Sequence, residues 1–447
     1  MEAKNGGGEN EESDDDVVKV PPTVAETSST PSSLPLTLTR EQRTRRPNTK
    51  YTDYATVTVG ELDEERAAYC FATLDDDPRT HTEALASLDA PLWKQAMENE
   101  KASIKENEVF ELVDPSKGAY LVGCKWVLKK KLGAGGSVEH YKATTLRVLL
   151  ALAASFNLEV EQLDVCTAFL YGLVMEEVYM RQPPRYDDGS GRILKLKRTL
   201  YGLKQSPRGW YKHIGDFLLQ HGFARSECNS TLYVLKEGEK QLVLLLYFDD
   251  LLLFSDSKDL IREVKQRLWE EFAMRDLGPV TYYLGMHVDR DRANGTIHLH
   301  QDKYVKGVVE RFTMGNSKPV GTPLATGFSC LTREEESALG EAEGKRFHLL
   351  VGSLMYAAVS TRPDLAYAAG VLGRVVSNPH TGHVRARGRV LRYLQGTPNL
   401  GLVYEAGPIE LKGYADSDYA GDPSTRKSTS GHVFTLLGAA RSLDFLN

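Results

Sequence analysis

The chain has 447 residues, 41% of them apolar and 26% charged, which is the composition of a soluble globular protein with room for two or three domains. The longest apolar runs, residues 148–156 and 242–248, are too short to span a bilayer, and the N-terminus carries Gly, Glu and Asp rather than an apolar signal core. The net charge of −6 argues mildly against a nucleic-acid binder, yet the acid concentrates in residues 9–16 and positive charge in 125–131 and 195–204, so the balance decides nothing.

Residues 1–50 are rich in Gly, Ser, Thr, Pro and acid and read as disordered, with a basic end over 40–50. Order is expected from about Pro91, where Trp93, Met97, Ala102 and Ile104 fall at helical spacing and Phe110-Glu-Leu-Val-Asp-Pro115 reads as a strand and turn. Lys125-Trp-Val-Leu-Lys-Lys-Lys131, the glycines of 133–136 and residues 138–142 predict a β-hairpin. A helix is expected over 145–157, a strand over 160–166, and a turn then helix over 200–220. Residues 240–255 form a hairpin bending at Phe248–Asp249. Residues 260–405 mix helix and strand. A strand pair over 409–420 and 430–437 starts something new, and no internal repeat is present.

Chemistry concentrates in Asp249 and Asp250, embedded in Leu242-Val-Leu-Leu-Leu-Tyr-Phe-Asp-Asp-Leu-Leu-Leu-Phe254. Charge at the bend of a buried hairpin is costly unless a partner offsets it, and a divalent metal does so well. Asp164 ends a similar run, Val160-Glu-Gln-Leu-Asp164. Two strand-end aspartates and a neighbour suit two-metal phosphoryl transfer. An Asp-Asp pair between apolar runs also serves as a solvated turn, and both readings stand on the residues alone. The five cysteines (70, 124, 166, 228, 330) make no metal-ligand spacing and suggest reduced thiols in an intracellular, cytoplasmic or nuclear protein.

The words around these acids resemble the reverse transcriptase of copia-type LTR retrotransposons. Tyr247-Phe-Asp-Asp250 is similar to the family's Tyr-x-Asp-Asp box. Gln162-Leu-Asp-Val-Cys-Thr-Ala-Phe-Leu-Tyr-Gly172 with Glu177-Val-Tyr-Met-Arg-Gln-Pro183 is similar to its first catalytic motif, and Leu200-Tyr-Gly-Leu-Lys-Gln-Ser-Pro-Arg-Gly-Trp-Tyr211 to the next. Asp276-Leu-Gly278, Tyr283-Leu-Gly285, Gly352-Ser-Leu-Met-Tyr356, Thr361-Arg-Pro-Asp364 and Leu391-Arg-Tyr-Leu-Gln-Gly-Thr397 follow in the family's order.

The resemblance implies an α+β right-hand polymerase with a truncated ribonuclease H-like segment at the C-terminus. Residues 1–90 would be tail and spacer, 91–260 fingers and palm, 261–405 thumb and connection, and 406–447 the ribonuclease H-like part. Asp164 and Asp249 are then the direct ligands of two Mg²⁺ ions, with Mn²⁺ as the alternative, and Asp250 helps to hold the second ion or the primer end. Backbone N–H groups over 165–168, Val165 first, would hold the triphosphate. Phe169 would exclude a ribose 2′-hydroxyl, although its bland reading is core. Tyr201, Gly202, Ser206 and Pro207 would form a platform behind the new base pair. Lys204 and Arg208 are phosphate contacts or a solvated face, and Trp210 and Tyr211 read as core. Expected partners are an RNA or DNA template with primer, dNTP, and the element's other Pol and Gag products, with no membrane.

Two departures qualify the expectation. Tyr141-Lys-Ala143 runs straight into Thr144-Thr-Leu-Arg147, where family members carry a long block of fingers, so a catalytically inactive relic is the alternative. Gly413-Tyr-Ala-Asp416 matches the opening of a ribonuclease H domain, with Asp416 as its first ligand, but no Glu follows Glu410. The terminal strands are therefore expected to be a detached or poorly packed pair without nuclease activity.

Overall fold

A computed structural model of the chain describes residues 81–115, 121–123, 140–183, 187–328, 337–421, 426–437 and 439–446. All of them belong to one compact unit, Tyr54–Asn447. The tail expected over 1–50 lies outside the described residues, as does the hairpin expected over 125–142 up to residue 139.

Regular structure begins before Pro91. Helix α1 (His81–Ala86) precedes α2 (Ala90–Glu106), and Ala84 packs against Trp93 and Met97. A four-stranded sheet follows, ordered β1 (Phe110–Val113), β5 (Ile193–Leu196), β4 (Tyr179–Met180), β2 (Leu121–Val122), with the β2–β4 pair parallel.

Helix α3 (His140–Ser155) corrects the strand expected over 138–142, because the chain is helical from His140 onward. Leu146, Leu149, Leu150, Ala153 and Ala154 recur at three- and four-residue spacing and bury one face. Once that turn is nucleated, each added residue gains a hydrogen bond, so Lys-Ala-Thr upstream joins the helix rather than a strand. The helix crosses the 143–144 junction without interruption.

The central sheet has six antiparallel strands in the order β10 (Met274–Pro279), β3 (Glu159–Val165), β9 (Asp250–Ser255), β8 (Lys240–Tyr247), β7 (Leu232–Glu237), β6 (Ala224–Arg225). Its apolar runs are continuous because both faces are covered. Leu242, Leu244, Leu246, Leu251, Leu253, Leu163 and Val165 face α4 (Ser206–Gln220) and α5 (Lys258–Glu271). Leu245, Tyr247, Leu252, Phe254 and Val160 face α3 and a second sheet. That second sheet is ordered β11 (Tyr282–Tyr283), β12 (Met286–Asp291), β13 (Thr296–His300), β14 (Gly401–Glu405). Each fully buried Leu or Ile of α5 contributes about 1.5–3 kcal/mol.

A helical layer with its own core is built from α6 (Asp302–Arg311), α7 (Glu341–Ser360), α8 (Ala366–Arg374) and α9 (Thr381–Gly396). The Thr361-Arg-Pro-Asp364 word is a clasp here. Arg362, fully buried, forks onto Asp364 at 2.9 and 2.8 Å and reaches the Thr397 carbonyl at 2.9 Å. Arg147 of α3 donates to the Val359 and Ser360 carbonyls, capping the end of α7.

The C-terminal segment corrects the expected two-stranded pair. Strands β15 (Leu411–Ser417), β16 (Ser430–Leu436) and β17 (Ala439–Leu446) form a three-stranded antiparallel sheet. Leu436 of β16 pairs with Ala439 of β17, and this pairing adds the third strand. Leu436 and Leu437 enter the core shared with α3 and the second sheet, and the Glu405 N–H donates to Leu437 O at 3.1 Å, so the segment is docked. Strand β15 is exposed along its length. Among the described residues, no helix is long and apolar enough to cross a membrane.

Candidate active site

The two strand-end acids meet. Strand β3 pairs with β9 so that Asp164 stands opposite Asp250, and Tyr247 pairs with Asp250 across a two-residue turn made of Phe248 and Asp249. Because side chains alternate along a strand, Asp164 and Asp250 project from the sheet face that carries Val160, Leu252 and Tyr247. The Val165 N–H donates to Asp249 O at 2.8 Å, which ties the turn to the end of β3. Asp250 receives Gln162 Nε2 at 3.3 Å, and Arg275, facing Asp164 from β10, brings Nη1 to 3.9 Å of its carboxylate. The register thus sets Asp164 across from Asp250, with Asp249 in the adjoining bend.

The bend is held in an uncommon conformation. Phe248 has φ 52°, in the left-handed region, and Asp249 does not, which is the mark of a type II′ turn. A bulky residue there costs about 1–2 kcal/mol. Two side chains of α4 hold it in place. Trp210 Nε1–H donates to Phe248 O at 2.5 Å, and the Phe248 N–H donates to the Tyr211 hydroxyl at 3.0 Å. Sequence reasoning read Trp210 and Tyr211 only as core. Trp210 is indeed fully buried, but both carry a polar tip that needs a partner, and that was the available signal.

An aromatic wall borders the carboxylates. The Phe169 ring lies edge-on to Tyr201 at 4.5 Å and to Phe248 at 6.3 Å. The Tyr201 phenol is pushed well above its ordinary range by the protein around it and by the negative charge of Asp249, Glu100 and Asp164. Its hydroxyl therefore stays protonated beside the acids. Tyr283, fully buried below them, is raised the same way, with Asp250 the leading charge.

Not every expected residue faces the site. Ser206 is buried and donates to Leu200 O at 2.5 Å, bracing the loop into α4 rather than facing a template. Gly202, at φ 96°, lets that loop turn where a side chain would strain it. Lys204 and Arg208 are exposed. Of the amides over 165–168, Val165 N–H is engaged by Asp249 O and Cys166 N–H by Ala273 O at 2.8 Å. Thr167, at φ 53°, opens a short 3₁₀ turn over Ala168–Tyr171. The turn exits at Gly172, where a Cβ would come within 2.6 Å of Thr199 Oγ1 and 3.0 Å of the Gly209 carbonyl carbon. Asp416 lies exposed on β15, opposite Gly431.

Residues 140–326 match the family model described as reverse transcriptase (RNA-dependent DNA polymerase). The chain is 38% identical over 407 residues, 84% of its length, to the retrovirus-related Pol polyprotein from transposon TNT 1-94 of Nicotiana tabacum, and covers 30% of that protein. It is 32% identical to the Pol polyprotein from transposon RE2 of Arabidopsis thaliana, across 94% of this chain and 29% of the relative. It is 31% identical to a transposon Ty5-1 protein of Saccharomyces cerevisiae, of which it covers 90%. The chain belongs to the copia-type reverse transcriptase family. It spans about 30% of the length of the Pol polyproteins it matches. In this family member the matched region holds β3, the Asp249-Asp250 hairpin and α4, so the whole carboxylate patch and its two turn-holding side chains fall inside it.

Proposed function

We propose that this chain extends a primer on an RNA or DNA template by adding deoxynucleotides, as the reverse transcriptase portion of a retrotransposon Pol protein. The observation that carries the reading is the register of Asp164 opposite Asp250 with Asp249 in the adjoining turn. Like charges directly across two strands destabilise one another, and hard carboxylate oxygens so placed suit Mg²⁺, or Mn²⁺ in its stead. Asp164 and Asp249 are assigned as ligands of two such ions, with Asp250 holding the second ion or the primer end. Bound there, the ions would lower the pKa of the primer 3′-hydroxyl and neutralise charge on the leaving phosphates.

The chain's own residues orient the reactants. Phe169, braced by Tyr201 and Phe248, stands where a sugar would lie against the carboxylates, and its ring excludes a 2′-hydroxyl. Tyr201 and Gly202 form the surface behind the base. The amides that follow left-handed Thr167 make the concave backbone nest that suits a triphosphate, in place of the engaged Val165 and Cys166 amides. In this reading the central sheet with α4 and α5 is the palm, the β1–β5–β4–β2 sheet belongs to the fingers, the helical layer is thumb and connection, and β15–β17 open a ribonuclease H-like domain.

A second reading, a relic with an intact carboxylate patch and weak nucleotide binding, is favoured by α3 running unbroken through the 143–144 junction, where relatives are expected to carry more fingers. Losing one charged phosphate contact costs about 2–5 kcal/mol, or roughly 1.5–3.5 decades in affinity. Primer extension on a homopolymer template across a dNTP series separates the two. Extension that appears only at high dNTP, and strengthens when the family's block is inserted at the junction, supports the polymerase reading. No extension at any dNTP, with or without the block, refutes it.

A further inference from the structure

A second group of ligating side chains gathers on the second sheet. The β12–β13 register sets His287 opposite His300 and Asp289 opposite His298. Asp302 opens α6 two residues beyond His300. His287 Nε2 lies 3.4 Å from Asp302 Oδ1, and His300 Nδ1 lies 3.5 Å from the same oxygen. All three atoms fall within 4.8 Å of one another.

Each of these three atoms is shut off from water, and none has a hydrogen-bond partner. Three buried polar atoms without hydrogen bonds, gathered within 4.8 Å of one another, are an uncommon and costly arrangement. A hydrogen-bonded Asp–His pair would close to about 2.7–3.2 Å. Ligands on a tetrahedral zinc-type ion, with bonds of about 2.0–2.1 Å, stand roughly 3.3–3.4 Å apart, and the two measured edges agree with that.

The outer atoms are already held as such a site requires. His300 Nε2 pairs with Asp289 Oδ2 at 2.8 Å, which leaves Nδ1 to face inward, and Lys306 Nζ donates to Asp302 Oδ2 at 3.0 Å. His300 is only 7% exposed, with its ring stacked between His287 at 5.2 Å and His298 at 4.6 Å. Asp289 and His298 make a second trio around His300, but Asp289 is exposed and already bonded to Nε2, so it serves as the outer partner.

We propose that His287, His300 and Asp302 bind one divalent transition-metal ion of the zinc class, leaving a fourth position open, and that this ion fastens the β12–β13 pair to the start of α6. Imidazole donors set this site apart from the all-carboxylate patch at Asp164, Asp249 and Asp250, which suits Mg²⁺.

The test uses the full chain, stripped with a chelator and titrated with Co²⁺ alone. Expected are one equivalent bound, with the visible absorption of tetrahedral cobalt, displacement by Zn²⁺ but not by Mg²⁺, and a rise in Tm of about 5 °C at hundredfold excess over Kd. His300→Ala and Asp302→Asn should lose the absorption, while His213→Gln, outside the cluster, keeps it. Should His300→Ala fail to fold, His287→Gln on the more exposed side should weaken binding by about 10–100-fold. No saturable absorption in the wild-type chain, or absorption unchanged in both Asp302→Asn and His287→Gln, would overturn the proposal.

Discussion

Tyr211→Phe removes one oxygen and tests how the carboxylate hairpin is held. The hydroxyl accepts the Phe248 N–H at 3.0 Å, while Trp210 Nε1–H, on the same helix, holds the Phe248 carbonyl at 2.5 Å. Together they fix both backbone polar groups of a residue at φ 52°. Losing a neutral hydrogen bond costs about 0.5–1.5 kcal/mol, and an N–H left without an acceptor in this partly buried turn costs about 1–3 kcal/mol. The ring volume is kept, so no cavity term is added. At about 2–4 °C per kcal/mol for a domain of this size, Tm should fall by roughly 2–12 °C. Catalytic extension should fall further than stability does, because the turn that relaxes carries Asp249. Differential scanning calorimetry together with single-turnover primer extension reads both. A Tyr211→Phe chain with unchanged Tm and unchanged extension would show that α4 does not hold the turn.

Arg362→Met leaves Asp364 and the Thr397 carbonyl without their fork, and should lower stability in urea by about 3 kcal/mol, with Arg362→Lys recovering little because one ammonium cannot replace two parallel donors. Gly172→Ala sets a Cβ against Thr199 Oγ1 and the Gly209 backbone and should cost about 1–3 kcal/mol in the same assay. Release of labelled fragments from an RNA–DNA hybrid should be absent and unaltered by Asp416→Asn, since Asp416 stands exposed on β15 opposite Gly431 rather than opposite a second carboxylate.

The hairpin over 240–255 was legible because an apolar residue at almost every position fits a strand covered on both faces, and the acids interrupt the run only at its bend. The strand ending near Asp164 was legible for the same reason. Its register was not. The pairing sets Asp250 opposite Asp164 with Asp249 in the adjoining bend, and such a register cannot be read from two separated runs. The left-handed Phe248 was hidden because nothing marks a phenylalanine for φ > 0. Its anchors, Trp210 and Tyr211, lie nearly forty residues earlier in the chain. The strand expected over 138–142 failed where a neighbouring helix with a strong buried face extended through a locally ambiguous segment. The histidine group escaped notice because His287, His300 and Asp302 converge only once β12 and β13 pair.

The central claim is that Asp164, Asp249 and Asp250 form one metal-dependent polymerase centre. Primer extension by the purified chain with Mg²⁺ at saturating dNTP, compared with Asp164→Asn and Asp249→Asn, tests it most directly. The account predicts extension by the wild-type chain and none by either variant, with Tm in Asp164→Asn equal or slightly raised as the like charge opposite Asp250 is neutralised. Equal extension by wild type and both folded variants would contradict it.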